Sequence, residues 1–289
     1  MSSFPEVNLA FNGIGPQQLD ADLSLSPIIL LHGLVSSKDT WNHVMRPLAD
    51  GTGRKVFTYD ARNHGDSGWN DQFDYEYMKE DLLHFMEFMY LEKAILVGHS
   101  MGGKVGMLTA LKKPEKVEKL VVEDITPKRL PPGNRRYASV YIRDMKEGLE
   151  KMPEDIKDLQ KAKEFVAAFI YGRTPQEHRS EKNRFPVASE LPLTQDQSGK
   201  FKWKHNLEVI EDILLNGSKL SSQLQGLYDG AAFFLYGTRS QYNVFNDKEF
   251  ILKLFPKAMF KAIEGAGHSI HAEYPEEFCE EIIKFLNNS

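Results

Sequence analysis

One stretch constrains this chain more than any other: Ala94-Ile95-Leu96-Val97-Gly98-His99-Ser100-Met101-Gly102-Gly103, an apolar run that enters Gly-x-Ser-x-Gly and continues at helical spacing. An apolar run of this length reads as a strand buried on both faces, and such strands belong to parallel sheets covered by helices. A serine on so sharp a strand-to-helix turn holds a strained backbone. Glycines on either side remove the Cβ atoms that would collide with the neighbouring strand and helix. Ser100 is therefore expected above the sheet edge, with the amino end of a helix behind it. A dinucleotide-binding turn is the nearest rival. It needs a glycine where Ser100 stands, and the chain contains no Gly-x-Gly-x-x-Gly.

The rest of the chain repeats the same alternation. Strands are expected at Val7–Ile14, Ile28–Leu31, Lys55–Tyr59, Ala94–Val97, Lys119–Asp124, Ala231–Tyr236 and Met259–Ile263, giving an α/β fold with a mostly parallel sheet flanked by helices. Met78, Leu82, Phe85, Met86 and Met89 recur at helical spacing after Asp74, a possible N-cap. A second helix is expected from Met101 to about Lys113, stopped by Pro114, and a last one from Pro275, burying Phe278, Ile282 and Leu286. After Asp124, about a hundred residues pass before the next convincing strand, far beyond an ordinary crossover. Residues 127–224 read as an inserted helical, polar cap, with aromatic residues Tyr137, Tyr141, Phe165, Phe169, Phe201 and Trp203 scattered through it. Core segments 1–126 and 225–289 flank it. A chain of 289 residues accommodates this division, as one large domain with an insertion.

A serine hydroxyl needs a base, and nine histidines compete for that role. His268 lies in Gly265-Ala266-Gly267-His268-Ser269, after the last strand and at the same sheet edge as Ser100; its small neighbours allow close approach. His271, one helical turn on, is the rival, otherwise a cap or surface histidine. The third member must be a carboxylate that orients the imidazole. The loop after Ala231–Tyr236, where it usually sits in this architecture, reads Gly237-Thr238-Arg239-Ser240-Gln241-Tyr242-Asn243 and offers no acid before Asp247. One strand earlier, Asp124 ends a strand at the same edge, 24 residues after Ser100. Its neighbour Glu123 points the other way by strand alternation and reads as a supporting carboxylate. Two backbone N–H groups are expected to form an oxyanion hole, those of Met101 and of Leu34 in Leu31-His32-Gly33-Leu34-Val35. His32 reads as a structural residue beneath that loop.

Composition narrows the partners. With 36 basic against 41 acidic side chains and a net charge of −5, the chain has no footprint for nucleic acid. No apolar run approaches the eighteen or so residues that span a bilayer. The single cysteine, Cys279, forms no internal disulfide, and the first ten residues lack a signal or transit pattern, so an intracellular protein is expected. No metal or cofactor is expected, since His268 and His271 lack a third ligand at suitable spacing. Nothing in the sequence sets an oligomeric state.

Taken together, His32-Gly33, Asp60-Ala61-Arg62-Asn63-His64-Gly65-Asp66-Ser67, Gly98-His99-Ser100-Met101-Gly102-Gly103-Lys104 and Gly267-His268 resemble the α/β-hydrolase fold nearly end to end. Residues 60–67, Lys104, Asp124-Ile125-Thr126-Pro127, Gly199-Lys200-Phe201-Lys202-Trp203 and the acid-free Gly237-Thr238-Arg239-Ser240 narrow this. They resemble the abhydrolase-domain-containing-protein-eleven branch, with its bacterial short-chain esterases and yeast ethanol acetyltransferases. The resemblance implies a catalytic acid after the earlier strand, in agreement with Asp124. It also implies action on carboxylic and lipid esters and, from animal members, a mitochondrial location beside the cytoplasmic one. Glu123 stands where it leads one to expect an apolar side chain. The expectation is a serine ester hydrolase using Ser100, Asp124 and His268 on a small-molecule ester or lipid. An acyltransferase with an alcohol acceptor and a non-catalytic binding module on the same fold are the alternatives.

Overall fold

A computed structural model describes residues 4–17, 22, 24–129, 131–179, 186–216 and 223–288. Its elements in chain order are β1 (Phe11–Ile14), β2 (Ile28–Leu31), α1 (Asn42–Thr52), β3 (Val56–Tyr59), α2 (Tyr75–Phe88), β4 (Ala94–His99), α3 (Met101–Lys112) and β5 (Val117–Glu123). There follow α4 (Pro132–Glu150), α5 (Leu159–Arg173), β6 (Leu193–Gln195), β7 (Phe201–Trp203), α6 (Leu207–Asn216), β8 (Ala231–Gly237), α7 (Lys248–Leu254), β9 (Ala258–Ile263), α8 (Ile270–Glu273) and α9 (Pro275–Asn287).

The main sheet has the order β1-β3-β2-β4-β5-β8-β9; its strands pair in parallel except β1, which is antiparallel to β3. Alternate residues of each strand serve opposite faces. Ile29, Leu31, Leu96, Val122 and Phe234 pack under α2 and α3, while Ile28, Leu30, Ile95, Val97 and Val121 pack against Val44 and Leu48 of α1 and Phe278 and Ile282 of α9. Fully burying each such side chain contributes about 1.5–3 kcal/mol. Register then fixes the site: Leu31 lies opposite Gly98, His99 opposite Glu123 and Glu123 opposite Leu235, so the carboxyl ends of these strands share one edge.

The expected strands are present, with one trimmed. Val7–Ala10 joins no ladder, because β3 ends at Tyr59; these residues bond the following loop instead, Ala10 and Asn8 carbonyls accepting from Asp60 and Gly68. The segment between β5 and β8 is helical, as expected, but also holds a hairpin that the sequence reading takes as helix. β6 and β7 pair Leu193 with Trp203, around a turn where Asp196 Oδ1 accepts from Ser198 N–H at 2.9 Å and Gly199 takes φ 84°. Among the described residues, no helix is long and apolar enough to cross a membrane.

Candidate active site

Ser100 occupies φ 51°, ψ −111° between β4 and α3, a conformation costly for a residue with a side chain. The flanking glycines make the turn possible: a Cβ on Gly98 would lie 2.4 Å from the Gly102 carbonyl oxygen, and one on Gly102 only 2.1 Å from that of Leu31. The Ser100 N–H donates to the Glu123 carbonyl at 3.0 Å, fastening the elbow to β5. Lys104, fully buried in α3, donates through Nζ to the Lys128 carbonyl, and burial lowers its ammonium to about 7.

Asp124 follows β5 at φ 53°. Its Oδ2 accepts from His268 Nδ1 at 2.6 Å and from Ser240 Oγ, and its Oδ1 accepts from Gly237 N–H at 3.2 Å. Thus the loop after β8 supplies donors where an acid was missing. Asp247 is taken up elsewhere, paired with Lys128 at 2.7 Å. Burial works against charge on both partners, raising the Asp124 carboxyl and lowering the His268 imidazole; the Ser240 and Gly237 donors hold Asp124 back toward its carboxylate. The His268 ring stacks on Tyr242, with centroids 4.2 Å apart, and the Tyr242 hydroxyl faces Ser100. Glu273 brackets the base, accepting from Gly267 N–H at 2.6 Å and Ser269 N–H at 3.1 Å.

Leu34 and Met101 line one cavity with Ser100 and His268. Met101 is the first residue of α3, so its N–H has no acceptor within the helix. The loop carrying Leu34 is held from below. Val35, at φ 53°, donates its N–H to His64 Nε2 at 3.1 Å, and His32 Nε2 accepts from Ala61 N–H at 2.9 Å. The Asp60–Ser67 loop is itself tied to α2 by Arg62, which forks onto Asp81 at 2.6 Å through both Nε and a terminal nitrogen. Tyr137, Tyr141, Tyr171, Leu191 and Leu214, from the segment between β5 and β8, close the cavity from above. Phe201 and Trp203, by contrast, are buried in packing.

The structure thus brings Ser100, Asp124, His268, Leu34 and Met101 to one place. His271 is neither a cap nor a surface residue: it is buried, and its Nδ1 lies 2.9 Å from Glu123. Sequence reasoning missed Ser240, Tyr242, Glu273 and the supporting part of His64. Only the acid-free 237–243 loop hinted that its polar residues serve an acid placed elsewhere.

A family model described as alpha/beta hydrolase fold matches residues 26–275. The chain is 38% identical over 272 residues to the sn-1-specific diacylglycerol lipase ABHD11 of Danio rerio, covering 90% of this chain and 78% of that one. It is 29% identical over 268 residues to Ethanol acetyltransferase 1 of Cyberlindnera fabianii, covering 90% and 79%. A solved marine microorganism esterase superposes with a TM-score of 0.77 at 29% identity, covering 97% of this chain and all of that one. The chain therefore belongs to the α/β-hydrolase family, among its esterase- and lipase-type members.

Proposed function

We propose that the protein cleaves carboxylic or lipid esters, acylglycerols among them, through an acyl-enzyme on Ser100. The observation that carries this reading is the 2.6 Å link from His268 Nδ1 to Asp124 Oδ2, in one cavity with a strained Ser100. Ser100 Oγ attacks the acyl carbonyl while His268 Nε2 takes its proton, and Asp124 keeps the ring oriented and the imidazolium stabilised. The N–H groups of Leu34 and Met101 receive the negative oxygen. His268 then protonates the departing alcohol, and water repeats the cycle to release the acid. The chemistry uses no metal or cofactor. In this reading residues 127–224 form a cap over a core of 1–126 and 225–289, and its tyrosines shape an apolar acyl pocket. The single buried cysteine fits a reducing setting, cytoplasmic or mitochondrial.

Ser100→Ala is expected to abolish turnover of a p-nitrophenyl ester while the fold persists, and unchanged turnover would sink the reading. Asp124→Asn should lose far more rate than Asp247→Asn. The likeness to alcohol acetyltransferases favours a second reading in which an alcohol replaces water. Product analysis of the unaltered enzyme with an acyl donor in excess alcohol separates the two: transfer yields a new ester, hydrolysis only free acid.

A further inference from the structure

Glu123 and His271 form a second acid–imidazole couple directly behind the first. Both side chains are at most 1% exposed. The Glu123 carboxylate accepts from the His271 main-chain N–H at 3.0 Å and from Nδ1 at 2.9 Å, while its own carbonyl accepts from Ser100 N–H. One residue therefore grips both the nucleophile elbow and the helix that begins just after His268. Between the couples lies His99, its ring 4.6 Å from that of His268 and 4.9 Å from that of His271, with Nε2 3.0 Å from the His268 carbonyl oxygen.

The hydrogen bonds around His271 admit two placements of its protons. His271 Nε2 lies 2.9 Å from Thr40 Oγ1, which lies 3.3 Å from Glu190 Oε2. A neutral His271 donating from Nδ1 to Glu123 must accept at Nε2 from the Thr40 hydroxyl. The Thr40–Glu190 contact then takes its proton from Glu190; with Thr40 donating to a Glu190 carboxylate instead, His271 would donate from both nitrogens as an imidazolium. His43 Nε2 stands 3.0 Å from Glu190 Oε1, but at an angle that makes no hydrogen bond. Burial selects the neutral ring: it pushes Glu190 up to about 8 and pulls His271 down to about 3. The groups facing Glu123 are His99 from β4, Asp124 just after β5, and His268 and His271 beyond β9. Among the described residues no lysine or arginine pairs with it. With His271 neutral, its negative charge is left for the nearby group that becomes cationic during turnover.

We propose that Glu123 is a positioning residue for catalysis, a second carboxylate that holds the elbow and base loop in register and stabilises His268 as it takes the Ser100 proton. This rests on the triad reading above. Burial raises the Glu123 carboxyl to about 7, so its ionisation and that of His268 are coupled in the acid limb of the rate profile.

The test is the kcat/KM–pH profile of Glu123→Gln and Glu123→Asp beside the unaltered enzyme. The uncharged variant is expected to lose about tenfold in plateau rate, the scale of one charge acting across a partly shielded interior, and to move its acid limb to lower pH. Glu123→Asp restores the limb position even where it melts earlier. A limb that stays in place in Glu123→Gln, or a rate loss that merely follows melting temperature in both variants, overturns the proposal. Nitrogen NMR of His271 in the unaltered protein provides a readout independent of any variant's folding. The neutral Nδ1–H tautomer is expected, and an imidazolium, which would neutralise Glu123, also overturns the proposal. Failure of the triad reading appears instead as turnover by Ser100→Ala, so the two failures are distinct.

Discussion

At the scale of single residues, the candidate acid depends on donors it does not choose. Asp124 is buried, and burial alone would keep it protonated; Ser240 Oγ, Gly237 N–H and His268 Nδ1 together favour its charged form. A hydrogen bond to a charged group is worth about 1.5–3 kcal/mol, so Ser240→Ala should lower kcat/KM by roughly tenfold or more. Steady-state kinetics well below the melting temperature measures this, and an unchanged kcat/KM removes Ser240 from the account. Ser100 and His268 were legible because their local contexts, a glycine-flanked elbow and a small-residue loop, have few other uses. Asp124 was legible by default, through the empty slot downstream. Ser240, Tyr242 and Glu273 were not, since each acts through a partner distant in sequence or through loop backbone, and nothing in their own neighbourhoods marks them. Glu123 is legible as a supporting carboxylate on the other side of its strand, and as a charge where the resemblance leads one to expect an apolar residue. Its partner His271 became meaningful once β5 and α8 were side by side.

At the scale of elements, local chemistry was legible where it is self-contained. Asp74 caps α2, its Oδ1 accepting from Glu76 N–H at 2.9 Å and Tyr77 N–H at 3.1 Å. Asp74→Ala should cost about 1 kcal/mol, read as a thermal midpoint lower by about 2–4 °C with kcat/KM on a small ester preserved. A midpoint that does not move means the helix end finds other acceptors. The buried strands were equally plain, because a strand covered on both faces must be apolar throughout. The β6–β7 hairpin was not, because three-residue strands carry too little alternation to stand out from a helical background. Its Phe201 and Trp203 inward, Lys202 outward pattern and the Asp196-Gln197-Ser198-Gly199 turn were nevertheless in the sequence. The strand expected at Val7–Ile14 is longer than β1 for the opposite reason: the extended pattern continues, but the partner strand does not.

At the scale of the whole molecule, the site has been assembled by burying ionisable groups, and that sets the pH dependence of stability. Among the described residues, burial lowers His32, His64, His99, His205, His268 and His271 from their ordinary 6.5. It raises Asp81, Glu123, Asp124 and Glu190, the last three to between about 7 and 8. The slope of unfolding free energy with pH follows the protons bound in the unfolded state minus those bound in the folded state. Below pH 6.5 the unfolded histidines carry protons that the folded ones refuse, so stability rises with pH. The carboxyls act in the opposite sense, holding protons when folded that the unfolded chain has lost above about pH 4.5, so they make stability fall as pH rises toward 8. With more histidines than carboxyls, the rising contribution prevails on the acid side; above pH 6.5 the falling one is opposed by Lys104, whose folded ammonium gives up its proton near 7 while the unfolded one keeps it to about 10.5. The urea midpoint should therefore drop steadily below pH 6.5, while between pH 6.5 and 8 the opposed contributions leave it nearly level. A midpoint that stays level or rises from pH 6.5 down to pH 5 would show that the buried histidines take up protons in the folded protein, against the burial that lowers them.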